Sequence, residues 1–234
     1  MRLRIKFTKT GQMRYISHLD MMRYFQKALR RSGADVSMSE GFSPHMLMSF
    51  ALPLSLGMTS IGEYFDLDVN SVSSTEQFAK ELGAETGEDV KVLYVGEIPQ
   101  DKAHKCMAQV EAADYTVHVI LPDQTELDPG SEKTRQQIDA FMAQPEIVIT
   151  KKTKKNETEM NIRPFIFSFT GDEKGLHLRL KAGSINHVKC AAVMEKFCEF
   201  TGIEAAFTDI QRDELLLSEN GNFLPLYTTG KKIG

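Results

Sequence analysis

Arg14, His18, Asp20, Arg23 and His45 are the side chains whose types suit phosphate chemistry, and all of them lie between Met13 and Phe50. A histidine in the first turn of a helix projects beside free backbone N–H groups, an anion-binding position. The positive end of the helix dipole disfavours protonation there, so a neutral His18 is expected. With Arg14 and Arg23 nearby, that imidazole suits a phosphate contact or general acid–base work. In a metal-independent ribonuclease His18 would move the proton and Arg14 or Arg23 would stabilise the phosphorane. Beyond His45, no second acid or base is evident. A histidine bonded to a loop carbonyl would fill the same position for purely structural reasons.

The charge distribution points the same way. The net charge is only −4, yet residues 1–50 carry nine Lys and Arg against three Asp and Glu. Residues 51–110 carry four against ten, 111–150 two against eight, and 151–191 nine against four. Two basic blocks flank an acidic middle, which suits an anionic partner such as tRNA or rRNA if the blocks meet. Neutralisation of the acidic segments inside the fold is the competing account. The anion-binding candidates are Arg14, His18, Arg23, Lys27, Arg30, Arg31 and His45 in the first block. In the second they are Lys151, Lys152, Lys154, Lys155 and Arg163. The run Lys151–Lys155 is expected at a hairpin tip, where it could meet a phosphate backbone or simply be a solvated turn.

Other classes are excluded on motif grounds. Cys106, Cys190 and Cys198 are three widely spaced cysteines, so the closely spaced CxxxCxxC set of a radical SAM cluster is absent. Buried, unreactive thiols in a reducing compartment are expected instead. Gly83, Gly87 and Gly96 lack phosphate-loop or dinucleotide spacing, and no His/Cys/Asp set has metal-site spacing. No cofactor is expected. With 41% hydrophobic and 26% charged residues, no apolar run near membrane-spanning length and no secretory apolar region at the N-terminus, a cytoplasmic protein without a membrane partner is expected.

Hydrophobic periodicity then supplies the elements. Leu3, Ile5 and Phe7 alternate with Arg2, Arg4 and Lys6 in a half-buried strand. Ser17 with Asp20 reads as an N-cap for a helix that buries Leu19, Met22, Phe25 and Leu29 and stops by Gly33. Strands follow at 46–50, 63–69 and 90–95, with a helix at 74–83 between the last two. The order βαββαβ is ferredoxin-like. A second copy reads as strands at 115–121, 146–150, 165–169, 176–180 and 205–211, with helices at 132–142 and 187–200. The expected fold is therefore α+β, two tandem ferredoxin-like units with antiparallel sheets. The domains are 1–100 and 108–212, with a loosely attached tail at 213–234. Strands one and three being neighbours in such a sheet, Arg2, Arg4 and Lys6 are expected to pair with Asp66 and Asp68, which would remove them from any RNA face.

Phe7-Thr-Lys-Thr-Gly11, Arg14-Tyr-Ile-Ser-His-Leu-Asp20, Arg23 and Ala28-Leu-Arg-Arg31 with Gly33, and Gly41-Phe-Ser-Pro44 form one motif set. Ser49-Phe50, Pro53-Leu54, Gly57 and Asn161-Ile-Arg-Pro164 extend it along most of the chain. Together they resemble the radical-SAM-linked bacterial family of unknown function, encoded beside or fused to a cobalamin-binding radical SAM protein. Met46 departs from the pattern, which has a second proline there, and this loosens the loop prediction. The resemblance implies a radical SAM protein as partner and carries no catalytic residue. Three roles fit: a non-catalytic RNA-binding or substrate-presenting accessory module, a protein-interaction subunit docking through the Met-rich run Met46–Met58, and the ribonuclease built on His18.

Overall fold

A computed structural model describes residues 1–152 and 157–234. The chain mixes helices with mostly antiparallel strands and divides into two units, Met1–Glu111 with Arg212–Gly234, and Ala112–Gln211. Among the described residues no helix is long and apolar enough to cross a membrane.

The first unit contains β1 (Arg2–Lys9), α1 (His18–Arg31), β2 (Met48–Phe50), β3 (Thr59–Asp68), α2 (Thr75–Ala84), β4 (Val92–Ile98) and the short α3 (Cys106–Gln109). β1 lies between β3 and β4, β2 pairs with β3, and all three pairings are antiparallel. Alternation along β1 sends Leu3, Ile5 and Phe7 to one face, where they meet Phe25 and Leu29 of α1 and Phe78 and Leu82 of α2. Phe7, Phe25, Phe50 and Phe65 form the centre of that core. Phe7–Phe25 and Phe25–Phe65 ring centroids are 4.7 Å apart, and Phe50 stacks on Phe65 at 5.2 Å. Such aromatic pairs add about 0.5–1.5 kcal/mol each beyond burial.

α1 begins where expected. The Ser17 hydroxyl accepts the Asp20 N–H at 3.2 Å and donates to Asp20 Oδ2 at 2.6 Å. Its buried residues are Met21, Phe25, Ala28 and Leu29, whereas Leu19 is 61% exposed and Met22 half-buried. The apolar stripe is therefore rotated from the expected Leu19–Met22 line. Small Ala28 fills the place opposite the sheet, and the bulkier Leu19 lies outside it.

The opposite face of β1 is buried as well, by polar means. Arg2 faces Asp68 and Arg4 faces Asp66 in register, with Nε–Oδ1 distances of 2.6 and 2.9 Å. Lys6 departs from the expected ladder: it stands opposite Tyr64 and its amine meets Glu214 Oε2 at 2.6 Å. Glu214 belongs to β10 (Phe207–Glu219), whose residues from Arg212 onward belong to this unit and continue into β11 (Asn222–Pro225). Arg4 also donates to the carbonyls of His104 and Leu226, at 2.6 and 3.0 Å. Residues 213–234, expected as a loosely attached tail, are thus drawn in by buried arginine donors that need carbonyl partners.

The second unit orders β5 (Ala112–Ile120), β9 (Gly175–Lys181) and β8 (Ile166–Asp172) side by side, with the start of β10 on the other side of β5. β6 (Val148–Lys152) and β7 (Glu157–Asn161) pair antiparallel in a separate two-stranded sheet. α4 (Glu132–Met142) and α5 (Cys190–Thr201) supply Phe141 and Phe197, which pack edge-on with each other at 5.5 Å and against Phe169. The Asn161 side-chain carbonyl accepts the N–H groups of Ile147 and Arg163, both at 3.0 Å, so the Asn-Ile-Arg-Pro motif joins the residue before β6 to the turn after β7.

Candidate functional site

Lys9 ends β1 at a register shift, and its side chain turns inward until only 3% of the residue is exposed. Its amine donates to the Ile16 carbonyl at 2.9 Å, which fastens the 3-10 turn Gly11–Tyr15 to the sheet. Burial lowers the Lys9 pKa, with Arg212 adding to that effect and Glu63 opposing it. The turn is fastened again on its far side. Arg14 Nε donates to the Gly57 carbonyl at 2.6 Å, and the Gly57 N–H donates back to the Arg14 carbonyl at 2.9 Å. Gly57 holds φ +84°, a conformation that side chains rarely adopt. Two motifs far apart in sequence are therefore one structural joint.

His18 follows as the first residue of α1, half-buried with its ring edge-on to Phe50 at 5.2 Å. Burial lowers its pKa first of all, the Glu63 carboxylate pulls it back up, and Lys9 pushes it further down. The shift favours the neutral imidazole, and its first cause is burial. Glu63 itself belongs to a closed ion pair: Arg212 Nε and a terminal nitrogen meet the two Glu63 oxygens at 2.8 and 2.6 Å, and the same nitrogen reaches the Leu52 carbonyl at 2.8 Å. Lys9, Glu63 and Arg212 are all buried; Lys9 holds the residue before the α1 cap, and the Glu63–Arg212 pair holds the Leu52 carbonyl. Lys9 lies inside the quoted Phe7–Gly11 motif. Glu63 and Arg212, 149 residues apart, carry no local signal that joins them.

The outward side of α1 is different in kind. Leu19, Arg23, Lys27 and Arg30 are all exposed and fall within one stripe of a 3.6-residue helix. Arg23 forms an i,i+3 pair with Asp20 at 3.0 Å, both side chains more than half exposed. Ser17 first, then Arg23, holds the Asp20 carboxyl below the usual range. Arg31 turns aside to Glu85, meeting Oε2 and the main-chain carbonyl at 2.7 Å each. Lys27 and Arg30 have no ion-pair partner among the described residues.

The remaining candidates scatter. His45 sits with its Nδ1 2.8 Å from the Ser39 hydroxyl, on a depression of about 160 Å³ shared with Arg2, Asp68 and Lys105. No contact joins it to His18 among the described residues. Arg163 is half-buried and donates from Nε to the Met142 carbonyl at 2.8 Å, which closes the α4 end of its own unit. Lys154 and Lys155 lie outside the described residues, and only the backbone of Lys151 and Lys152 is described, in β6. Met46 is buried and Met48 and Met58 half-buried, so the Met-rich run is mostly packing. Phe42 instead stands fully in solvent, at 109% of its reference exposure. No group of His, Cys, Asp and Glu side chains arranged to hold a metal ion occurs among the described residues.

Residues 2–193 match the bacterial family described as "uncharacterized protein conserved in bacteria (DUF2344)", and the chain belongs to that family. No curated protein matches the chain.

Proposed function

We propose that this member of an uncharacterised bacterial family is a non-catalytic RNA-binding module that presents tRNA or rRNA to a radical SAM enzyme. One observation carries the RNA part: the positive charge of the N-terminal block reaches solvent along a single face of α1. Arg2, Arg4, Lys6 and Lys9 are spent on interior partners, while Arg23, Lys27 and Arg30 line the outside of one helix. Seven residues of helix rise by about 10 Å, enough for the stripe to follow several phosphates of one strand. The link to a radical SAM enzyme rests on the resemblance of the Phe7–Gly11, Arg14–Asp20 and Gly41–Pro44 motifs. The strand order β4-β1-β3-β2 in one unit and β10-β5-β9-β8 in the other supports reading each as ferredoxin-like.

The test is fluorescence polarisation of labelled tRNA at several salt concentrations, with wild type beside an Arg23/Lys27/Arg30 triple-alanine variant. Binding should weaken steeply with salt, and each lost phosphate contact should reduce the log–log slope by about 0.7–0.9. Absence of binding at low salt, or a triple variant that binds like wild type, would sink the proposal. His18→Ala should bind normally, and cleavage by wild type that this variant abolishes would restore the ribonuclease reading.

A second reading has its own observation. Phe42, at the tip of a loop whose Gly41 holds φ +104°, exposes its whole ring, and nearby Met38 is 45% exposed. This pair favours a protein-interaction subunit that inserts Phe42 into a pocket of its partner enzyme. Co-purification with that enzyme, lost in Phe42→Ser while tRNA binding is unchanged, is the outcome it requires.

A further inference from the structure

Tyr15 is an aromatic side chain that the core does not use, and it lies in the turn that leads into α1, the helix that carries the basic stripe. It closes the 3-10 turn, 66% exposed, and Leu19 in the first turn of α1 is 61% exposed. The turn that carries it is held at three separate points: by Lys9 on the Ile16 carbonyl, by the two-way Arg14–Gly57 joint, and by Asp89 Oδ2, which accepts the Gln12 N–H at 3.0 Å. Burying a ring would explain such fastening, but this ring is left in water. The Arg14 guanidinium carbon lies 5.9 Å from the ring centroid, a cation–π distance that further sets the ring's position. A fastened, exposed aromatic with an arginine at its ring, on the turn leading into a helix with a basic outer side, suits stacking of a nucleobase while the cations follow its backbone.

Resting on the RNA-binding reading above, we propose that Tyr15 is a stacking platform for an unpaired nucleobase. The RNA recognised is then single-stranded or has a base turned out of its helix. In duplex RNA the base faces are already occupied by their neighbours, so Tyr15 would have nothing to stack on except a helix end. Arg14 sits beside the platform, while Arg23, Lys27 and Arg30 meet the phosphates that follow. Stacking is tolerant of base identity, so this subsite selects for strandedness rather than for sequence.

The experiment compares a labelled oligouridylate, which has no stable secondary structure, with a labelled RNA hairpin duplex. Wild type, Tyr15→Ala, Tyr15→Phe and the Arg23/Lys27/Arg30 triple variant are titrated at low and physiological ionic strength, with circular dichroism confirming that each is folded. Wild type should prefer the oligouridylate. Tyr15→Ala should lose about tenfold on that probe, with the hairpin and the salt slope little changed, because stacking releases no counterions. Tyr15→Phe should keep most of the affinity. If Tyr15→Ala binds the oligouridylate like wild type while the triple variant is weakened, the stacking subsite is overturned and the RNA-binding reading stands. An equal loss on both probes also overturns it. If wild type binds neither probe, both readings fall together.

Discussion

Arg4 and Asp66 face each other across β1 and β3, Nε to Oδ1 at 2.9 Å, with side chains 0% and 2% exposed. The pair is a junction as well as a bridge. Asp66 Oδ2 also accepts the Cys106 N–H at 2.6 Å, and Arg4 reaches Gln109, Thr229 and the carbonyls of His104 and Leu226. Two segments far apart in sequence, 104–109 and 226–229, are thereby secured to the same side of the sheet.

Removing one partner of such a pair leaves a buried charge without compensation, which costs about 3–5 kcal/mol. Arg4→Met should therefore lower the urea midpoint sharply, and amides around 226–231 should exchange faster than those of α1. A change below about 1 kcal/mol, or uniform exchange, would show that the junction contributes little.

The Arg2–Asp68 and Arg4–Asp66 pairs are legible in the sequence alone, because alternation assigns both strands' charged residues to one face and the βαββαβ order makes them neighbours. The Lys6 partner is not, since Glu214 lies 208 residues away on a strand whose second half reads as the start of a tail. The α1 cap is legible from Ser17 and Asp20. Half of that helix's buried stripe is legible too, in Phe25 and Leu29; the other half is not, because Leu19 is more hydrophobic than Ala28 yet stays exposed. Lys9 gives no signal for a related reason: lysines are rarely buried, and only tertiary packing decides when one is. Phe42 and Tyr15 look like core residues in any count of apolar types, and only their exposure marks them out.

His18 supplies a pH dependence of defined sign. Its folded pKa lies below the ordinary 6.5, through burial opposed by Glu63 and aided by Lys9. The unfolded chain therefore binds this proton more readily, so stability is full above about pH 6.5 and is lost as pH falls toward the folded value. The lowered carboxyls Asp20, Asp101 and Asp172 act in the same direction, below their ordinary 3.8. His18→Ala should flatten the slope of unfolding free energy below about pH 6.5. An NMR titration placing His18 at or above 6.5 would contradict this.

The cysteines should be silent in the folded chain. Cys106 is wholly buried, and burial with the nearby Asp66 charge pushes its thiol pKa far above the usual range. Cys190 is buried, and Cys198 is half-buried with a pKa also raised by burial. Thiolate is the reactive form, so a colorimetric disulfide reagent at neutral pH should react slowly with the native protein and with all three thiols once urea is added. A fast-reacting thiol before denaturation would identify an opening that the static packing does not contain.

Two glycines test the packing of the first unit with one chemical change. A Cβ on Gly62 would lie 2.4 Å from the Asp213 carbonyl oxygen and 2.7 Å from the Glu214 Cα. Both obstacles are backbone, so β3 and β10 must move apart. The flanking Glu63–Arg212 and Tyr64–Glu214 bonds, 2.6–2.8 Å long, depend on that closeness. Gly62→Ala should cost about 1–3 kcal/mol from overpacking, and more if those bonds open. A Cβ on Gly83, in the last turn of α2, would meet only Val92 Cβ at 4.0 Å, so alanine fits without displacement. There the substitution removes backbone freedom from the unfolded chain and should stabilise by about 0.5–1 kcal/mol. Urea denaturation of both variants should move the midpoint in opposite directions. If Gly62→Ala were neutral, the close approach of the two strands, and with it the buried Glu63–Arg212 pair, would be wrong.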